Sequence, residues 1–355
     1  RANQQYESVA GTSWVERGIA RMTNSRIVMV LGLRWMMAGF LFIGLASYGL
    51  ALAAEPLRKV RMAIPSIVID FAPLWIAREK GIFLDERIDP EIAYIQGNIR
   101  GVQALVAGEV QFGIAGSAGA VSARAAGEDV VIVAVPMNRL DYTFVGRQPF
   151  KTAADLTGKK VGIGAVGGSD ELATRLALEK LGVDPGRVTM LTVGGSGDRL
   201  AALRAGSVDA ATVGGATFIG GGAGLYKLID LTDLGVEFPF TAIFTTKRYA
   251  AANRDAVLGF IRAYMRGVRF FQQNKEEAIA ITARNLRTTN KELLERQWSY
   301  VKDHVFEKIP NASDKGFKLI FDMLSPRNPK VAALRTEDVF DGSYVKELMD
   351  KGFFK

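Results

Sequence analysis

Cysteine is absent from all 355 residues. That excludes disulfides, thiolate metal sites, cysteine nucleophiles and a lipid-modified cysteine tether within this sequence. Histidine occurs once, as His304, which leaves no room for a histidine-rich metal site or a two-histidine mechanism. Charges of one sign form no long runs, although the formal net charge is +8, and scattered basic residues argue against a nucleic-acid-binding stripe. What remains is ordinary: 48% hydrophobic and 23% charged residues. A chain of this length and composition can bury two cores of roughly 100–200 residues each.

The long apolar run lies near the N-terminus. Met36 to Ala54 carries no charge, Arg21, Arg26 and Arg34 precede it, and Glu55 and Pro56 follow. A basic region, an apolar stretch and Ala51-Leu52-Ala53 before Ala54 are the parts of a secretory signal with cleavage near Ala53/Ala54. Residues 1–53 are then an extension and signal peptide, with translation expected to start at Met22 or Met29, and the mature chain is periplasmic. The other reading is an uncleaved anchor through residues 36–54, since a run of this length could span a bilayer.

Beyond Glu55, short β-rich runs alternate with amphipathic stretches, the pattern of α/β layers with mostly parallel strands. Strands are expected at Val60–Ile64, Phe112–Ala115 and Val130–Val135. Pro73 opens a helix that Gly81 ends, and Asn98 caps another that turns Val102, Leu105 and Val106 inward before Gly108. A second series begins with a strand at Val161–Ile163. It continues with a helix at Ser169–Leu181 and runs to the strand Ala210–Val213. Ala104-Leu105-Val106-Ala107-Gly108-Glu109-Val110 matches Ala202-Leu203-Arg204-Ala205-Gly206-Ser207-Val208, and Gly97 and Gly116 match Gly195 and Gly214, all at an offset of 98. Two lobes on one plan follow. A long helix over Asp255–Phe271 carries Leu258, Ile261, Met265 and Val268 on one side, with Arg262, Arg266 and Arg269 on a solvated one.

Gly162-Ile163-Gly164-Ala165-Val166-Gly167 sits between a strand and a helix, where a dinucleotide fingerprint would. Such a unit needs an acidic residue after the next strand to hold a ribose. Here Val193 runs into Gly194-Gly195-Ser196, so no nucleotide or other cofactor is expected. Gly167-Gly168-Ser169 reads better as a helix start whose amides face a cleft and can hold a small anion or carbonyl. Gly116-Ser117 offers the same from the other lobe. Ser169 and Ser117 could equally be plain caps. Asp170, as the first helical residue, either complements the helix dipole or points into the cleft and favours an amine or amide. Gly214, Gly215 and Thr217 follow the second lobe's repeat strand, and Arg139 with Asp141 precede the first crossover; Arg139 could hold a carboxylate or sulfonate through its planar fork.

Several stretches carry a resemblance in the right order. They are Ala72 to Phe83, Ala107 to Gly113, Asp155 to Gly162, Ala205 to Ala210 and Asn253 to Ala278. On these the chain resembles the substrate-binding proteins of ABC transporters in the nitrate/sulfonate/taurine group, related in fold to thiamine-precursor-binding proteins. The resemblance implies a two-lobed type II periplasmic-binding fold, each lobe a mostly parallel sheet flanked by helices. Residues 57–143 plus 245–355 would form the first lobe and 146–240 the second. Hinge crossovers would lie near Tyr142–Val145 and Thr241–Phe244, and polar groups at the two helix starts would contact ligand. The loop from Ser66 to Phe71 would form the near wall, with Phe71 as a stacking surface. The implied function is capture of a small organic molecule, a sulfonate or carboxylate by preference and a nitrogen heterocycle otherwise. A monomer would deliver it to a permease with its ATPase, without catalysis. An enzyme or an anchored sensor on the same fold are the competing classes.

Overall fold

The computed structural model describes residues 56–150 and 152–355. The expected signal segment, its cleavage point and the N-terminal extension lie outside the described residues.

Strand β1 (Arg58–Ile64) shows how the sequence sets burial. Val60 and Met62 point inward while Lys59 and Arg61 are exposed, because successive strand residues face opposite sides. Ala63 and Ile64 are then buried in succession, as in a strand covered on both faces. β2 (Ile88–Tyr94), β3 (Phe112–Gly116) and β4 (Val131–Arg139) follow in the first lobe. The chain then crosses at Leu140–Asp141 and builds β5 (Tyr142–Gly146), β6 (Lys160–Ile163), β7 (Thr189–Thr192), β8 (Ala210–Gly214) and β9 (Tyr226–Asp230). It returns through residues 231–236 to β10 (Glu237–Thr245).

The first sheet has the order β2-β1-β3-β10-β4 and the second β7-β6-β8-β5-β9. Each places the strand that enters from the other lobe fourth in the row, antiparallel to both neighbours, while the other four strands share one direction. Both crossings fall a few residues earlier than expected. The whole of β5 and of β10 is needed to fill the gap in its sheet, so each is spent after the turn rather than at it. The repeat is structural as well: the helices Asn98–Val106 and Ser196–Arg204 begin 98 residues apart, as do β3 and β8.

The helix Arg254–Gln273 buries Val257, Leu258, Ile261, Met265 and Val268 against the helix Ala72–Glu79, which Pro73 opens at its first turn. Contact is close enough that a Cβ on Gly267 would collide with the Pro73 carbonyl oxygen. Gly267→Ala is therefore expected to destabilise the chain by about 1–3 kcal/mol, the usual penalty of overpacking; a shift in the urea midpoint measures it, and an unchanged midpoint would mean that the two helices can part without loss.

One expectation is refined and one corrected. Arg262, Arg266 and Arg269 are on a partly exposed side but are engaged there: Arg262 pairs with Glu86 at 2.6 Å, Arg266 with Asp85 at 2.7 Å, and Arg269 donates to the Phe353 carbonyl. The turn after Ile82–Asp85 and the C-terminus both fold back over that side of the helix. Val106 is 37% exposed rather than inward, because it is the last helical residue and the chain turns away through Gly108 at φ +79°.

Candidate functional site

Six loops meet where the two sheets face each other: those after β1, β2, β3, β6, β7 and β8. These are the carboxyl ends of the co-directional strands, where open α/β sheets bind their ligands. A cavity of about 60 Å³ lies between them, several times the roughly 10–15 Å³ that one water requires. The first lobe contributes Ser66, Asp70, Phe71 and Gly116; the second contributes Tyr142, Asp170, Ser196, Arg199 and Gly214.

Hydrogen bonds cross between the lobes around this cavity. Gln96 Nε2 donates to Asp198 Oδ2 at 2.9 Å, the Ala118 amide to Ser169 Oγ at 3.3 Å, and Gln297 Nε2 to the Ala216 carbonyl at 2.8 Å. Arg327 pairs with the buried Glu171 at 2.5 Å. Burial pushes the Glu171 carboxyl up, but hydrogen bonds from Arg327, the Gly167 amide and Arg175 outweigh it and hold the group below the usual carboxylate range. The lobes are closed on one another.

Arg199 is the centre of the second lobe's wall. It stands on the first turn of Ser196–Arg204 and is 3% exposed. Its Nε donates to the Thr212 carbonyl at 2.6 Å, Nη1 to the Gly194 carbonyl at 2.6 Å, and Nη2 to Ser196 Oγ at 3.2 Å. Nη1 also faces Asp170 Oδ2 at 3.4 Å, and that carboxylate accepts the Gly164 amide as well. Burial raises the Tyr142 hydroxyl above the ordinary tyrosine range, and Asp170 adds to the rise while Arg199 opposes it. Asp170 thus neither complements a helix dipole alone nor stands free in the cleft. It is neutralised in place.

Asp70 is the opposite case. It sits in the short helix Ile69–Phe71 and lines the cavity. A Cβ on Gly214 across the cleft would come within 3.8 Å of its Oδ2. Its Oδ1 is buried and has no hydrogen-bond partner. Burial pushes this carboxyl up to about 8, and the charge of Asp141 adds to it. Asp141 itself, on the first crossover, accepts from the Tyr300 hydroxyl at 2.5 Å while its Oδ2 is buried without a partner. Burial pushes Asp141 up to about 6 against that bond.

The residues singled out in the sequence divide accordingly. Ser66, Phe71, Gly116, Asp170 and Gly214 line the cavity. Ser117 and Ser169 do not: Ser117 Oγ donates to the Pro239 carbonyl, and Ser169 Oγ accepts across the lobes. Gly167 and Gly168 do not line the cavity, and both of their amides are engaged within the protein. The Gly167 amide donates to Glu171 Oε2 at 2.6 Å and the Gly168 amide to the Ala165 carbonyl at 3.2 Å. Arg139 lies on the surface, 3.5 Å from Glu307, because it ends β4 before the chain turns into the crossover. Asp141 and Gly215 belong to the hinge, where a Cβ on Gly215 would collide with the Tyr300 hydroxyl and Asp141. Thr217 is half-buried beside Gly214. Tyr142, Ser196 and Arg199 were not anticipated, and Asp70 only as an unnamed part of the Ser66–Phe71 wall. The repeat offers one signal for Arg199: the position 98 residues earlier is Gly101, so an arginine there departs from the shared plan.

Among the described residues no group of three or more histidine or acidic side chains could hold a metal ion, and no helix is long and apolar enough to cross a membrane.

A family model described as NMT1/THI5 like matches residues 68–278. A Brucella abortus chain named only as a binding protein is 29% identical over 250 residues, covering 67% of this chain and 77% of its own length. The formylaminopyrimidine-binding protein of Halalkalibacterium halodurans is 24% identical over 291 residues, or 78% of this chain and 85% of that one. The solved alkanesulfonate-binding protein of Xanthomonas axonopodis, bound to MOPS, superposes with a TM-score of 0.66 at 20% identity, covering 81% of this chain and 100% of that one. At that identity the likeness is one of fold.

Proposed function

This chain belongs to the NMT1/THI5-like family, and we propose that it is the solute-binding component of an ABC importer. In this reading it is exported to the periplasm, closes its two lobes on a small organic molecule, and presents the closed form to a permease with its ATPase. The observation that carries the reading is the cavity at the strand ends, flanked by hydrogen bonds from one lobe to the other. Hinge closure around a ligand couples occupancy to shape, which is what a transporter can sense. The relatives above are named for binding, which supports capture without turnover.

The preference for a sulfonate or carboxylate loses part of its support, since Arg139 is outside the cavity lining and the Gly167 amide is taken by Glu171. The alternative, a nitrogen-bearing solute, gains from Asp70.

Native mass spectrometry of protein purified without denaturation tests the function. One small-molecule adduct per chain, lost on unfolding, is expected; its absence, together with no thermal stabilisation by a broad solute panel, would sink the reading, because a ligand bound only by the native state must raise apparent stability. Closure should also depend on the bridge between lobes. Arg327→Ala is expected to weaken solute affinity about 3- to 10-fold, in keeping with roughly 1 kcal/mol for a half-exposed pair. Titration calorimetry with the recovered solute reads it, and an unchanged Kd would show that the pair does not hold the closed form.

A further inference from the structure

We infer that the cavity selects solutes carrying a cationic nitrogen, of the ammonium or amidinium class, which pairs with Asp70, and that it excludes anions. The inference rests on the solute-binding reading and specifies the chemistry of the same site.

Three observations support it. First, the cavity's only guanidinium is already engaged. Arg199 donates to Thr212, Gly194 and Ser196 and faces Asp170, and the lining contains no lysine, histidine or second arginine. Second, at least four of the six glycines that line the cavity have amides serving protein acceptors. The Gly97 amide donates to the Pro65 carbonyl, the Gly164 amide to Asp170, the Gly195 amide to Asp198, and the Gly214 amide to Ser196 Oγ. An anion entering here would lose its water without gaining a free guanidinium or those four amides, the donors that favour such sites.

Third, the two lobes treat comparable carboxylates differently. Each sets an aspartate a few residues beyond a co-directional strand, Asp70 after β1 and Asp170 after β6. In the second lobe Arg199 neutralises Asp170. The first lobe has Gly101 at the corresponding place, so Asp70 has no built-in cation, and its Oδ1 is left without a partner. A buried acceptor of this kind is normally satisfied. A cation delivered by the solute would complete in the first lobe the pair that the protein completes in the second. It would also bridge the cleft, since Asp70 Oδ2 faces Gly214 of the other lobe.

Thermal shift and calorimetry with small charged probes test this, using acetamidinium and methylammonium against methanesulfonate and acetate on the wild-type chain and on Asp70→Asn. The cationic probes should raise the melting temperature, the anions should not, and Asp70→Asn should weaken acetamidinium binding about 10- to 100-fold, the range for a lost charge-assisted hydrogen bond. Stabilisation by methanesulfonate or acetate, or a variant that binds acetamidinium within about threefold of wild type, overturns the inference while leaving solute binding intact. If no probe binds, the natively retained solute decides: one with a protonatable nitrogen supports the inference and one without any overturns it. A chain that neither retains a solute nor binds a probe overturns the proposed function, and this inference with it.

Discussion

Arg199→Met is expected to lower the free energy of unfolding by about 3–5 kcal/mol, the cost of removing one partner from a buried ion pair. The size follows from what is left behind. Asp170 would remain as a buried carboxylate with only the Gly164 amide to support it, and the Thr212 and Gly194 carbonyls would lose their donors. Methionine restores volume but no polar contact. Lysine should recover only part of the loss, since one ammonium cannot reach the acceptors that a planar fork spans. Adding Asp170→Asn to Arg199→Met should regain part of it, with a coupling of about 1–3 kcal/mol. Urea unfolding of the four chains gives the cycle; a loss below about 1 kcal/mol for Arg199→Met would show that the pair behaves like a surface bridge.

The second large effect concerns pH. Asp70 and Asp141 are both raised above the ordinary carboxylate range, chiefly by burial. The groups that face Asp70 are Asp141 on the crossover, Tyr264 on the helix Arg254–Gln273 and Tyr300 on the helix Lys291–His304. Asp170 and Arg199, already paired, share the cavity with it. Because the folded pKa values exceed the unfolded ones, the folded chain holds more protons in the window between them. This contribution to stability is complete below about pH 4, the unfolded range. It is lost as the pH rises through about 6 for Asp141 and about 8 for Asp70. The solute-free chain should therefore melt at progressively lower temperature from pH 5 to pH 9. Asp70→Asn should remove much of that slope and be more stable than wild type at the alkaline end by about 1–3 kcal/mol, or roughly 2–8 °C. A variant that tracks the wild type across the range would mean that Asp70 is solvated in the native state.

Much of the frame was legible because local signals agreed with tertiary need. Pro73 and Gly81 bracket a helix, and the helix–glycine–strand unit repeats at an offset of 98. The long stripe from Leu258 to Val268 could only face a core. The site was less legible, and the reason is in particular residues. The turn Gly167-Gly168-Ser169 has the composition of an anion-binding helix start. Asp170 and Glu171, immediately after it, bend back and take the Gly164 and Gly167 amides. Two acids in the first turn were the available sign. Arg139 and Arg199 are indistinguishable as residue types, yet one ends a strand at the surface and the other is 3% exposed. Only the long-range meeting of the loops after β6, β7 and β8 makes that difference. Asp70 reads as an ordinary loop acid until the second lobe covers it.

The central claim is that the two lobes close on a solute, and small-angle X-ray scattering tests it most directly. Chain freed of its solute by unfolding, dialysis and refolding should have a larger radius of gyration than chain to which the recovered solute is restored, and only the restored sample should regain the native melting temperature. Identical scattering profiles and melting temperatures for the stripped and restored samples would contradict the account.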